Sequence, residues 1–301
     1  MNATRKSTFS IVAADLAAGE VGCAVQSRYF SVGSVVPWVR AGIGACATQA
    51  AGVAVFGERA LVELDRGATP EEALERVLAD DDGRETRQLG LVTADGRAAA
   101  FTGSACNDWA GHRLGAGFAV QGNILAGEAV VDEMARAFEK TVGPLVHRLV
   151  AALEAGQAAG GDRRGQQSAA VVVERTGARS EAREGIDRVC DLRVEDHEQP
   201  IAELRRLVGI WTSWEAMRRA NGRYERGDYA GAADVLLASL GGGEAPEPGV
   251  LYNLACYESL AGRGGQAVEH LRQALERDDS LRALVPSDSD FDPVREQVSQ
   301  L

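Results

Sequence analysis

TFSIVAADLAAGEVGCAVQS, residues 8–27, holds two apolar runs separated by a short polar turn. Phe9–Ala14 and Val21–Gln26 carry the small and β-branched residues that strands favour. Leu16-Ala17-Ala18-Gly19-Glu20 joins them closely enough for a hairpin. The chain therefore opens with antiparallel pairing, starting at about Thr8. Ahead of it stands a polar, basic prefix, Met1–Ser7.

The same grammar continues outward. Ile43–Gln49, Gln88–Thr93, Arg97–Thr102, Phe118–Ile124 and Ala169–Glu174 are further strand-like runs. Asp95-Gly96 is the turn of a second hairpin. Thr69-Pro70-Glu71-Glu72 is a helix start, with Thr69 as N-cap, Pro70 at the first helical position and Glu72 closing a capping box. Glu128–Lys140 and Leu145–Glu154 read as two more helices. Strands come as adjacent hairpins and helices come in blocks, so the class is α+β with antiparallel sheets covered by helices.

From about Trp211 the pattern turns all-helical. Two segments superpose at an offset of 35 residues, with Gly227 on Gly262, Ala232 on Ala267 and Leu236 on Leu271. That period is close to the ~34 residues of a tetratricopeptide repeat, which the second segment resembles in its placing of Leu251, Leu254, Ala255, Ala267, Leu271 and Ala274. Gly241–Gly243, Pro246 and Pro248 mark the connection between repeats. Two domains are expected, residues 8–208 and 213–301. A plain helical hairpin is the bland alternative to a repeat that docks a peptide or protein.

A formal charge of −12 disfavours nucleic acid and anionic membranes, both of which call for a basic footprint. No apolar run approaches the ~20 residues of a membrane span. The prefix has Arg5 and Lys6 but no apolar core behind them, so no export signal is expected. Five scattered cysteines (Cys23, Cys46, Cys106, Cys190 and Cys256) form no C-x-x-C pair. They fit reduced thiols in a cytoplasmic protein with neither metal nor cofactor.

Four separated blocks carry a further resemblance. They are residues 8–50, Gln121-Gly122-Asn123-Ile124-Leu125-Ala126-Gly127, residues 160–170, and Asp191-Leu192-Arg193-Val194-Glu195-Asp196-His197. Together they resemble the Ntn-hydrolase-like family catalogued as domain of unknown function 1028, from Thr8 to about Leu207. The resemblance implies a four-layer α-β-β-α sandwich and amide hydrolysis by an N-terminal nucleophile. It makes Thr8 the candidate nucleophile. The hydroxyl of the first mature residue attacks the carbonyl while its own α-amine takes the proton. An amide nitrogen cannot do this, because its lone pair is delocalised. Family members commonly begin at a Met just before this Thr, whereas methionine removal here exposes Asn2. Cleavage of the Ser7–Thr8 bond is therefore expected to precede activity.

The other candidates surround Thr8 in this reading. Arg28, ending the second strand, is expected near Thr8, lowering the amine pKa or holding a substrate carboxylate; Arg40 is a second cation. Thr48 and Gln49 end another strand and could polarise the carbonyl, or simply terminate it. Gly122 and Asn123 could approach an oxyanion, or form a turn. Asp162 or Ser168 could support the Thr8 amine. Trp109 and His112 could wall a pocket. Asp191, Asp196 and His197 could bind a cation, though a charged strand end suits them better. The favoured function is an amidohydrolase of a small amide, which could carry a carboxylate, in a chain that could form homo-oligomers. The alternative is an inactive Ntn-fold scaffold whose repeats recruit a protein partner.

Overall fold

The computed structural model describes residues 8–107, 109–177, 186–240 and 246–301. The prefix and Gly241–Gly243 lie outside them. β1 (Thr8–Asp15) and β2 (Glu20–Ser27) form the expected hairpin, paired from Asp15↔Glu20 back to Thr8↔Ser27. The Asp15 carboxylate accepts the N–H groups of Ala17 and Ala18 at 3.1 Å, and Gly19 takes the left-handed φ of +66° that closes the turn.

This hairpin is the centre of a six-stranded sheet. Its order is β10 (Arg188–Val194), β9 (Ser168–Arg175), β2, β1, β8 (Phe118–Asn123), β7 (Gly111–Gly115). A second sheet runs β3 (Pro37–Arg40), β4 (Gly44–Ala50), β5 (Arg87–Thr93), β6 (Ala98–Thr102). All strand pairs among the described residues are antiparallel. Strand alternation splits the side chains between two faces. Val12, Ala14 and Val25 face Ala45, Ala47 and Val92 of the other sheet. Phe9, one position out of phase, packs toward α3 (Ala129–Lys140) and α4 (Leu145–Ala158). There a Cβ on Gly156 would meet Met134 Cγ at 2.7 Å and Phe9 Cε2 at 3.4 Å. On the outer face of the second sheet, Cys46, Leu89 and Leu91 pack with Leu61 of α1 (Val55–Asp65) and Leu74 and Leu78 of α2 (Pro70–Leu78). α2 starts with the full capping box of Thr69 and Glu72.

α1, β3, β7 and β10 are absent from the sequence reading. α1 follows Ala54, an N-cap with no side-chain cap bond, and carries Gly57, a poor helix former, in its first turn. That glycine is set from a distance, because a Cβ there would lie 2.1 Å from the Trp38 ring. β3 is four residues long and starts at a proline, and β7 is Gly-His-Arg-Leu-Gly. β10 is an edge strand carrying Arg188, Asp191 and Arg193.

The chain separates into two units, Met1–Arg205 and Arg206–Leu301. The boundary falls inside α5 (Pro200–Tyr224), where the sequence reading places the break between residues 208 and 213. In the second unit α6 (Tyr229–Ser239), α7 (Pro248–Leu260) and α8 (Gly264–Arg277) pack in succession. Gly227 and Gly262, the matched glycines, both turn left-handed, at φ +76° and +74°. The matched residues Ala232, Ala267, Leu236 and Leu271 are all fully buried. The chain after α8 returns over α7 through short helical turns and buries Phe291 edge-on against Tyr252. Among the described residues no helix is long and apolar enough to cross a membrane.

Candidate functional site

Thr8 heads β1 with a neighbour on each side, Ser27 of β2 and Asn123 of β8. It is 3% exposed, and its hydroxyl donates to Ser27 Oγ at 3.0 Å. The parity that sends Val12 between the sheets also sends Thr8 and Ser10 there. Polar residues meet them from both sheets. Ser10 Oγ donates to Gln49 Oε1 at 2.7 Å and accepts from Gln121 Nε2 at 2.6 Å. Gln49 Nε2 donates to Gln88 Oε1 at 2.9 Å and lies 3.3 Å from the Thr8 carbonyl oxygen. Asn123 Nδ2 donates to Gln88 Oε1 at 3.0 Å and sits more loosely, at 3.5 Å, on the same carbonyl. Gln88 Nε2 reaches the Gly122 carbonyl at 2.8 Å and Thr102 Oγ1 at 3.0 Å. Gly90 makes room for this cluster, since a Cβ there would lie 2.0 Å from Gln121 Oε1.

A cavity of about 190 Å³ opens beside Thr8. Thr8, Thr48 and Gln49 give it a polar edge, and Tyr29, Val32 and Val36 an apolar wall. Thr48 Oγ1 itself turns to the Val53 carbonyl, at 3.4 Å. Two non-glycine residues next to the cluster adopt left-handed backbone: Ala50 after Gln49, at φ +68°, and Ile124 after Asn123, at φ +54°. For a β-branched residue such as Ile124 this is a strained state, a kind that persists where the surroundings over-determine it and often at functional sites.

The remaining expected residues sort by distance from this cavity. Asp162 is buried, but its carboxylate accepts the N–H of Arg28 at 3.0 Å and of Arg164 at 2.8 Å. Ser168 Oγ donates to the Tyr29 carbonyl at 2.5 Å and accepts Val32 N–H at 3.0 Å. Both hold the loops that flank Thr8, and none of these bonds reaches Thr8. The Arg28 guanidinium donates to the Arg164 carbonyl at 2.6 Å and borders a separate polar cleft of about 510 Å³ with Gln167, Asp196 and His197. Arg40 pairs with Glu58 at 2.7 Å. Gly122 serves through its carbonyl, and a Cβ on it would meet Leu125 Cδ1 at 2.4 Å. His112 joins the far end of the cluster, its Nδ1 2.9 Å from Thr102 Oγ1, and burial with the nearby Arg113 cation holds its pKa below the usual value. Trp109 packs over Gly111 instead of lining the cavity. Asp191 pairs with Arg188 and Arg193 while Asp196 accepts from Gln167 at 3.0 Å, so the two do not converge on a cation. Among the described residues, the group with metal-ligand spacing is Cys256, Asp288 and Asp290 in the second unit. There Tyr252 and Tyr224 donate to the two carboxylates at 2.9 Å each.

Ser10, Ser27, Gln88 and Gln121 were missed by sequence reasoning. Ser27 had a signal, because counting back from the Asp15↔Glu20 turn places it opposite Thr8.

Two helix-backed antiparallel sheets enclosing a buried, polar strand head define a mixed α/β protein with its candidate site between the sheets. The model for the family of unknown function DUF1028 matches residues 8–204, and the chain belongs to that family. The crystal structure of protein SPO2555 from Silicibacter pomeroyi, of the same family, is similar to it. The two share 34% identity at a TM-score of 0.61, over 67% of this chain and 88% of that one. No curated protein matches the chain.

Proposed function

We propose that this chain is the precursor of an N-terminal-nucleophile amidohydrolase, made active by cleavage between Ser7 and Thr8. The observation that carries the reading is Thr8 itself. Its hydroxyl stands at the head of a central strand, fixed by Ser27 and open to a cavity. The helix–sheet–sheet–helix order agrees with the Ntn sandwich. After cleavage Thr8 Oγ1 attacks the amide carbonyl, and its proton passes to the new α-amine. The resulting ammonium protonates the leaving amine as the C–N bond breaks. Water then hydrolyses the acyl ester, and the same amine accepts its proton. Ser27 orients the hydroxyl, while the Gln49 and Asn123 amides hold the Thr8 carbonyl and so the strand head. Intact mass and N-terminal sequencing test the cleavage. Loss of amide turnover in Thr8→Ala tests the nucleophile, and turnover equal to the parent rejects it.

A second reading is favoured by the matched helical hairpins of the other unit. We read them as a tetratricopeptide-like pair, in which equivalent glycines turn and equivalent Ala and Leu pack. An uncut cytoplasmic chain would then be an inactive scaffold for a protein partner. A chain that keeps residues 1–7 and turns over no amide favours it.

A further inference from the structure

We infer that the pocket beside Thr8 takes a small, uncharged, apolar group about the size of a benzene ring, and rejects a carboxylate while the Thr8 amine is neutral. The inference rests on the nucleophile reading only for which bond is cut; the preference follows from the lining.

Size comes first. An apolar cavity of roughly 150 Å³ accommodates benzene, and this one measures about 190 Å³. Charge comes second. The wall is Val32, Val35, Val36 and the Tyr29 ring, and the polar edge is made of neutral groups, Thr8, Thr48 and Gln49. Among the described residues, none that lines the pocket is a lysine, arginine or histidine. A carboxylate entering here would lose its water, and the cation within its reach is the Thr8 α-ammonium that the cut creates, which is neutral above its ordinary pKa of about 7.7–8.0. Arg28, the cation expected at this place, borders the other cleft, which among the described residues shares no lining residue with the pocket.

The wall is also fixed. Val32 N–H donates to the buried Ser168 hydroxyl, and Val36 N–H donates to the Val32 carbonyl at 3.1 Å. Ser168 thus acts on the pocket through its wall. A fixed apolar wall discriminates by volume, and one methylene in such a pocket is worth about 10- to 200-fold.

The test uses the full chain, folded and then cut before Thr8 at an inserted protease site. Benzamide, succinamic acid and 2-naphthamide are titrated by calorimetry at about pH 9.5, where the Thr8 α-amine is neutral, into the parent, Thr8→Ala, Val36→Phe and Val36→Ala. Benzamide is expected to bind the cut parent saturably. It should bind Val36→Phe at least tenfold more weakly. Succinamic acid should bind the parent at least tenfold more weakly than benzamide does, and Val36→Ala should gain affinity for 2-naphthamide. Absence of saturable benzamide binding to the cut parent overturns the inference. So does tighter binding of succinamic acid. If Val36→Phe fails to fold, Val36→Ala decides, and an unchanged 2-naphthamide affinity counts against the pocket. The nucleophile reading fails separately, if Thr8→Ala hydrolyses amides at the parent rate while the binding pattern holds.

Discussion

Two halves of the space between the sheets follow opposite rules. One half, around Val12, Val25, Ala45 and Val92, is held by apolar contact alone. The other, around Ser10, Gln49, Gln88 and Gln121, is equally dry but held by directed amide and hydroxyl bonds. The apolar half adapts to small volume changes, whereas the polar half depends on every partner being present. Precision has been placed where Thr8 stands.

Four experiments bear on that contrast, from the largest effect to the smallest. In a chain cut before Thr8, Thr8→Ala should lower kcat/KM for any hydrolysed amide by at least about a thousandfold. A smaller loss would reduce the polar half to a structural device. Next, Gln88→Leu removes the hub shared by Gln49, Asn123 and Gly122. Partners left buried lose about 1–3 kcal/mol each, so a total of at least about 3 kcal/mol is expected in denaturant titration. Val92→Ala, its counterpart in the apolar half, should lose about 2 kcal/mol from transfer and cavity terms. Equal losses at the two positions would erase the distinction.

The smallest effect is on pH dependence. His112, at the edge of the polar half, has a folded pKa below its ordinary 6.5. Between those two values the unfolded chain takes up a proton that the folded chain refuses. Stability should therefore fall as pH drops through 6.5 toward the folded value. Histidine NMR titration locates that value, and His112→Gln should flatten this part of the stability profile.

Much of this was readable locally. The first hairpin and the α2 capping box rest on neighbours in sequence, so periodicity and cap chemistry reveal them. Thr8, Gln49 and Asn123 stood out as polar residues near the ends of apolar strands. Ser10, Gln88 and Gln121 did not, because one polar residue in an apolar strand reads as noise. Their meaning depends on which sheet faces which. Arg28 was misplaced for a related reason. Its strand ends beside Thr8 as expected, but the loop bearing Arg164 draws the side chain away.

The polar cluster has one further property. Ser10, Ser27, Gln49, Gln88, Gln121 and Asn123 include no ionisable group, so their electrical state does not change with pH. Under the proposed reading, cutting before Thr8 does more than free a nitrogen lone pair. It sets one switchable charge into a neutral cradle. An exposed α-amine titrates at about 7.7–8.0, and withdrawal from water disfavours its charged form. The surroundings that keep Thr8 dry would thus also bring its base toward neutrality.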